Sequence, residues 1–273
     1  MRSRFSSRGA GGHALLLATC VGLLFPVVWA VLTSFKPATE LYSTQPVPWP
    51  PSLANYQVAL GRFPIGHLLL VTLLTSAGVT LGQLVIAVLA AYALVRFRFR
   101  FQPLILVLTT GALLIPAQAL IVPQFLLTAR LGWLNTYAGL IVPQLGGAAL
   151  AVLLLRQHIH TLPHSLLGAA ALDGAAPREV LGHVVLPLLR PAIGAVAILV
   201  FVNTWNEYLW PTLVAPQPQY GTIQTGLASL TNTEGSDPGP LLAAATLATL
   251  PVLAVYTLAA RRVTDAFLHS GWS

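Results

Sequence analysis

Side chains able to carry chemistry are few in this chain, and histidine supplies the first candidates. Four histidines fall in one short segment: His158, His160, His164 and His183. The closest pair is two residues apart, which is a poor spacing for one helix face, and no carboxylate cluster completes a metal-ligand set. No nucleophile with a base stands inside the apolar segments. We therefore predict neither a catalytic site nor a metal site, and interpret the histidines as interfacial residues.

A turn flanked by small residues is the most distinctive polar motif. It comprises Gly168, Ala169, Ala170, Asp173, Gly174, Ala175 and Pro187. Gly174 permits a sharp turn, and Asp173 can cap the helix that follows or accept hydrogen bonds across the loop. The small residues before the turn would let a short helix sit deep in a groove on a partner. The pattern predicts a rigid elbow that transmits a partner's movement.

The elbow occupies residues 156–190 and is predicted to contain two short helices. Pro163 and Pro177 suit first helical turns, Gly174 suits the break between the helices, and Pro187 is predicted to end the second helix.

A second polar cluster surrounds Glu207, which is the one acid near an apolar segment. Its other members are Asn203, Trp205, Asn206 and Tyr208. An acid at such a place usually faces protein or water, which favours a pore or a partner interface for Glu207. The aromatic rings could pack on sugar rings or form an ordinary interfacial belt. The two asparagines could bond to sugar hydroxyls or to a facing helix.

The composition shows which elements must position these residues. Hydrophobic residues make up 56% of the 273 residues, and charged residues only 8%, against roughly 25% in soluble domains. Most of this apolar surface must therefore meet lipid or neighbouring helices, and we predict an all-α polytopic membrane protein. The lone cysteine, Cys20, lies in an apolar run and excludes a disulfide framework.

Six charge-free apolar stretches predict six transmembrane helices. They cover residues 13–35, 67–95, 103–127, 137–155, 191–206 and 240–260. A span needs about 20 residues, which the fifth stretch reaches only by including residues 207–210. The first run is too long for a signal peptide and is interpreted as an uncleaved span. The predicted permease domain is 13–260, between a short N-terminal segment, 1–12, and a tail, 261–273.

The distribution of positive charge predicts the orientation. With the N-terminus inside, eleven basic residues lie on the inner side: Arg2, Arg4, Arg8, Arg96, Arg98, Arg100, Arg156, Arg178, Arg190, Arg261 and Arg262. Three lie outside: Lys36, Arg62 and Arg130. This bias predicts that both termini and the elbow are cytoplasmic. The net charge of +7 forms no continuous stripe, so nucleic-acid binding is not predicted.

Two outer connections and one glycine pair complete the local predictions. Residues 36–66 are rich in proline and should be largely extended or irregular. Residues 214–240 are too polar and too interrupted to enter lipid, yet longer than a simple turn requires. Gly78 and Gly82 are spaced for close helix packing in the second span.

The elbow resembles the cytoplasmic "EAA" loop of ABC importer permeases. Eight residues match the spacing of that loop: Ala169, Ala170, Asp173, Gly174, Ala175, Leu186, Pro187 and Pro191. The family's leading glutamate falls on Gly168, which departs from the pattern. Residues 25–37, 50–56, 90–99 and 203–211 resemble other parts of carbohydrate-type permeases, such as the maltose and sn-glycerol-3-phosphate transporter permeases. The tail, 266–273, lacks the basic, glycine-rich ending common in the family.

The resemblance implies a type I importer fold and a set of partners. It implies a second homologous permease, two ATPase subunits, an extracytoplasmic substrate-binding protein and surrounding membrane lipid, in a bacterial inner membrane. ATP and Mg²⁺ would bind to the ATPases, because this chain has no phosphate-binding loop. The substrate would be a sugar or a glycerol-3-phosphate compound. Thr231, Asn232, Thr233 and Glu234 would form a loop that contacts the receptor. The alternative is an ion-coupled secondary transporter, which normally needs ionisable groups near mid-membrane.

Overall fold

The computed structural model describes residues 7–163, 165, 168, 170, 172–232 and 238–270, and side chains within 11–231 and 238–258. No strand occurs in these parts, which confirms the all-α prediction. The helices are α1 (Ser7–Ser34), α2 (Ala54–Arg62), α3 (Ile65–Arg96), α4 (Gln102–Ala112), α5 (Ala117–Arg130), α6 (Tyr137–His160), α7 (Pro177–Trp205), α8 (Leu209–Val214), α9 (Ile223–Asn232) and α10 (Pro238–Ser270).

Five described helices are long and apolar enough to span a membrane, and a sixth span is present if α4 and α5 count as one. The third predicted span is therefore not a single straight helix, because α4 and α5 meet at 101°. Pro116 explains the break. It has no N–H for the helical ladder, it disfavours helical backbone at Ile115, and its own ψ of 132° is extended.

The fifth span was predicted with wrong boundaries. It gains its length from the N-terminal side, since α7 runs from Pro177 through Pro187 to Trp205 without a stop. Pro187 was predicted to end a helix, but a π-helical segment, Val180–Val185, precedes it. The wider turn makes room for a proline ring that would strike the carbonyl four residues earlier in a regular α-helix.

The chain forms two compact units, of which the first comprises Met1–Ile65 and Gly226–Leu250. Its proline-rich segment contains the nine-residue helix α2, which the prediction of an irregular connection missed. Asn55 on α2 donates hydrogen bonds to the carbonyl oxygens of Ser34 (2.9 Å) and Lys36 (2.8 Å). The side chain of Lys36 is buried and donates to the carbonyl oxygen of Ser43. These bonds fix the connection to the end of α1.

The second unit comprises Gly66–Thr225 and Pro251–Ser273, and its core lies between α3, α6 and α7. The prediction of close packing at the glycine pair is confirmed. A Cβ atom at Gly78 would lie 2.8 Å from Cδ1 of Ile141, and one at Gly82 would lie 2.5 Å from Cδ2 of Leu145. The glycines therefore let the side chains of Ile141 and Leu145 lie directly against the backbone of α3.

Candidate functional site

The turn of the elbow has the geometry that its glycine predicts. Gly174 has φ of +76°, a left-handed conformation that glycine adopts without strain. The N–H of Ala175 bonds to the carbonyl oxygen of Ala170 at 3.0 Å. A left-handed glycine followed by this long-range backbone bond is the Schellman arrangement that ends many helices. The local sequence therefore stops the first elbow helix just before α7 begins.

The start of α7 is capped by a residue that the sequence analysis missed. The carboxylate of Glu179 accepts a 2.8 Å hydrogen bond from the N–H of Ala176, and Pro177 occupies the first helical position. Asp173 was expected to be able to cap this helix, but that role belongs to Glu179. The carboxylate three residues beyond the cap, next to a first-turn proline, was the available signal.

The elbow presents an apolar side chain on its outside and is anchored to the core within. Leu172, which precedes the turn, is 91% exposed. Ala170 and Ala175 pack against the α3–α6–α7 core. Nothing lies within 4 Å of a Cβ built at Gly168 or at Gly174. Such an elbow can fit a partner's groove on its exposed side, while the side that packs against the core moves together with the membrane helices.

The other residues of the predicted elbow motif differ in their exposure and in whether the structure describes them. Asp173 is exposed at the turn, and Pro187 is exposed within α7. Ala169 lies outside the described residues, as does His164.

A cavity of about 440 Å³ with a mixed polar and apolar lining opens in the second unit. Its lining combines amide, hydroxyl and carboxylate side chains with apolar ones: Gln83, Ala117, Gln118, Ile121, Gln124, Pro143, Gln144, Gly147, Leu150, Ala151, Leu199, Val200, Asn203, Thr204, Glu207, Leu209 and Trp210. Among these described residues Glu207 alone is ionisable. Primary amides both donate and accept hydrogen bonds, so the lining suits a ligand rich in hydroxyl groups.

Where α3 and α6 line the cavity, glutamine side chains bond to backbone carbonyl oxygens of α6. The amide of Gln83 donates a 2.7 Å bond to the carbonyl oxygen of Gln144, whose own side chain donates to the carbonyl oxygen of Leu140. A Cβ at Gly147 would lie 3.2 Å from Nε2 of Gln83, so glycine leaves the space that the amide needs. These contacts give Gln83 a fixed orientation.

Glu207 and Trp210 follow the last residue of α7 in the chain, and both line the cavity. One carboxylate oxygen of Glu207 accepts from the N–H groups of Leu209 (3.0 Å) and Trp210 (3.2 Å), which caps the short helix α8. The indole of Trp210 donates a 3.1 Å bond to the carbonyl oxygen of Gly139 on α6. The acid of the predicted solute path therefore also organises the backbone around it.

The cavity brings together only part of the predicted cluster. Asn203 and Glu207 line it. Trp205 is 1% exposed and packs against Phe201 instead. Asn206 and Tyr208 are exposed and lie outside the lining.

Four glutamines were missed by the sequence analysis: Gln83, Gln118, Gln124 and Gln144. They lie on α3, α5 and α6, and only Gln118 and Gln124 share a helix, so local spacing does not connect the set. The one signal was the presence of amides inside stretches predicted to span the membrane, where polar side chains are costly unless they face protein or water.

The predicted receptor-contact segment is described only in part. Thr231 is exposed on α9, where its hydroxyl donates to the carbonyl oxygen of Ala228. Asn232 ends α9, and its side chain lies outside the description, as do Thr233 and Glu234.

No group of three potential metal ligands forms among the described residues. His158 and His183 each contact a backbone carbonyl oxygen four residues earlier on their own helix.

The fold and the site define a class: a polytopic helical membrane protein with an amide-bearing cavity and an exposed helical elbow. Residues 83–267 match the family described as binding-protein-dependent transport system inner membrane component. The chain belongs to this family, as its resemblance predicted. It is therefore a multi-pass inner membrane transport component rather than an enzyme.

Two sequence relatives support the assignment, and one solved structure shows the same fold. The chain is 30% identical over 259 residues to the sn-glycerol-3-phosphate transport system permease protein UgpE of Yersinia enterocolitica, covering 91% of this chain and 92% of the relative. The UgpE protein of Rhizobium meliloti is 31% identical over 262 residues, with 92% of each chain covered. A bacterial ABC transporter involved in the import of the acidic polysaccharide alginate shares the fold, with a TM-score of 0.82, 21% identity, and 96% and 98% coverage.

Proposed function

We propose that this chain is the permease subunit of an ATP-driven importer and forms half of the translocation path for a sugar or sugar-like solute. The observation that carries the proposal is the cavity whose lining brings amides together, beside one carboxylate, from helices long and apolar enough to span a membrane. Polar side chains inside membrane-spanning segments are costly and mark solute paths. A chain that only anchored a partner would not need them.

The charge of the lining favours the hydroxyl-bearing part of a solute. Glu207 is the one ionisable residue among the described lining residues, and Lys and Arg are absent from that set. A phosphate or carboxylate group would meet a like charge there without a cation to compensate it. If the solute is glycerol-3-phosphate, as the names of the relatives suggest, its phosphate would face the second permease and its hydroxyls this chain.

The elbow is proposed as the docking element for an ATPase subunit. Leu172 offers an exposed apolar contact, and the small residues around it give access to a groove. Two ATPase subunits would bind ATP and Mg²⁺, and their closure would move α7 through the elbow and switch the cavity between the two sides of the membrane. This assignment requires the elbow and both termini to be cytoplasmic, as the arginine bias predicts.

An external binding protein would deliver the solute, and the segment after α9 is proposed to contact it. Shortening residues 231–235 should lower receptor-stimulated ATPase activity and uptake together, while basal ATPase activity and assembly stay normal. If receptor-stimulated ATPase activity and uptake both stay at the level of the unmodified transporter, the segment is a passive tether.

The cavity is tested by exchanging an amide that has no structural hydrogen bond in the described residues. Gln118→Leu should raise the KM for uptake about fivefold, the effect of one lost hydrogen bond of about 1 kcal/mol. Gln57→Leu is the matched control, since Gln57 is exposed on α2 outside the cavity. Uptake should be measured with sn-glycerol-3-phosphate and with neutral sugars. An unchanged KM for the transported solute would exclude Gln118 from its path.

A further inference from the structure

A second cavity, of about 560 Å³, lies where α3 ends, α4 begins and α6 ends. Its lining is basic and apolar: Leu94, Val95, Arg98, Phe99, Arg100, Gln102, Arg156 and His160. None of these residues lines the amide-lined cavity, and none belongs to the small-residue motif of the elbow, at whose N-terminal boundary Arg156 and His160 lie. The proposed transport function therefore leaves this cavity without a role.

The three arginines give the cavity a concentrated positive charge. Arg98 and Arg100 come from the connection between α3 and α4, and Arg156 comes from α6. No acidic residue is among the described residues that line the cavity. Like charges held together in a partly enclosed space repel one another, so an anion from outside would stabilise this arrangement.

Arg156 supplies the sharpest indication of a ligand. Its Nε atom is buried and has no hydrogen-bond partner among the described residues. A buried donor of this kind normally has a partner, and leaving this one N–H without a partner is costly. The planar fork of arginine matches two oxygens of a phosphate group, so a phosphate in the cavity would pair with Arg156 once a small side-chain movement brings Nε to the cavity surface.

The apolar wall indicates where that phosphate comes from. Leu94, Val95 and Phe99 share the lining with the cations. The amide of Gln102 donates a 2.6 Å bond to the carbonyl oxygen of Leu94, which keeps the connecting segment against the end of α3. Free phosphate gains nothing from apolar contacts, whereas a phospholipid brings a glycerol backbone and acyl chains next to its phosphate. The cavity also lies at the ends of two apolar helices, which is where headgroups sit.

We propose that this cavity binds the phosphate of an anionic phospholipid headgroup, held by Arg98, Arg100 and Arg156. The lipid would link the connection after α3 to the end of α6. Phosphatidylglycerol is a suitable probe, because its headgroup carries a net negative charge and phosphatidylcholine with the same chains does not.

The test is native mass spectrometry of the full chain, purified with its partner subunits and stripped of lipid. Phosphatidylglycerol, phosphatidylcholine and inorganic phosphate are then added separately. The unmodified complex should retain one phosphatidylglycerol and little phosphatidylcholine. Each arginine removed should weaken retention about fivefold. Arg156→Gln and the double variant Arg98→Gln with Arg100→Gln should both show the loss.

Arg62→Gln is the control, because Arg62 is exposed on α2, carries the same charge and lies outside both the cavity and the elbow. Should Arg156→Gln fail to assemble, the double variant decides the question, since Arg98 and Arg100 are exposed on a connection. Equal retention of phosphatidylglycerol by the cavity variants and the control would overturn the proposal. Displacement of the lipid by millimolar inorganic phosphate would overturn the lipid as the source and assign the site to a free anion.

Discussion

The hydroxyl of Tyr92, near the end of α3, donates a 2.9 Å hydrogen bond to the carbonyl oxygen of Pro177, the first residue of α7. Tyr92 is buried in the core that α3 forms with α6 and α7. The bond ties the second predicted span to the helix that leaves the elbow. We therefore predict that a movement at the elbow reaches α3 as well as α7.

Tyr92→Phe removes this bond and leaves the carbonyl oxygen of Pro177 with the N–H of Val180 as its remaining donor. We expect a loss of about 1 kcal/mol in stability and looser coupling, seen as a higher ratio of ATP hydrolysed to solute imported. The ratio is measured in proteoliposomes that contain the complete transporter. Tyr256→Phe is the control, since Tyr256 is exposed on α10. A normal ratio in Tyr92→Phe would show that the bond does not transmit movement.

Substitutions at Gly174 test the geometry of the elbow. Its φ of +76° costs a β-branched residue at least roughly 1–2 kcal/mol. Gly174→Val should therefore reduce copurification of the ATPase, whereas Gly174→Asn should retain most of it because asparagine tolerates this conformation. Gly61→Val is the control, since Gly61 also has open space around it but lies on α2, outside the elbow. Equal copurification in all three variants would argue against the elbow as the docking element.

The close approach of α3 to α6 predicts a defect that a second substitution corrects. Gly82→Ala places a Cβ atom 2.5 Å from Cδ2 of Leu145, and such overpacking costs about 1–3 kcal/mol. Thermal unfolding in detergent should show the loss, and adding Leu145→Ala should restore part of it. Gly66→Ala on the same helix meets nothing within 4 Å and should behave normally. Additive losses in the double variant would contradict the contact.

Single cysteines test the orientation that the arginine bias predicts. In a Cys20→Ser background, Thr44→Cys should react with an impermeant maleimide added outside intact cells, because Thr44 is exposed in the predicted outer connection. Ser165→Cys, in the elbow, should react only after the membrane is permeabilised. Outside labelling of Ser165→Cys in intact cells would invert the orientation.

The apolar stretches and their helical class could be predicted because lipid requires long runs without charge. The effect of each proline on its helix could not be predicted from the sequence. Pro116 interrupts its span, whereas Pro187 lies within a continuous helix, since the π-helical segment before it accommodates the ring. That accommodation depends on neighbouring turns rather than on the proline itself, so both residues carry the same signal in the sequence.

The candidate site was predictable where it depends on local geometry and not where it depends on packing. Gly174 and its turn follow from a dipeptide. Asn203 and Trp205 are two residues apart and so face different sides of α7, but only the packed structure shows which side meets the cavity. The glutamines of the cavity come from three helices, and their convergence depends on tertiary packing alone.

The most direct measurement of the central claim is uptake by proteoliposomes that contain this chain, the second permease, the ATPase subunits and the external binding protein. Labelled solute is supplied with the binding protein on one side and ATP on the side of the elbow. The account predicts uptake that requires ATP and all subunits and that is unaffected when ionophores dissipate ion gradients. Uptake that follows an ion gradient and continues without the ATPase subunits would contradict it and assign the chain to the secondary transporters.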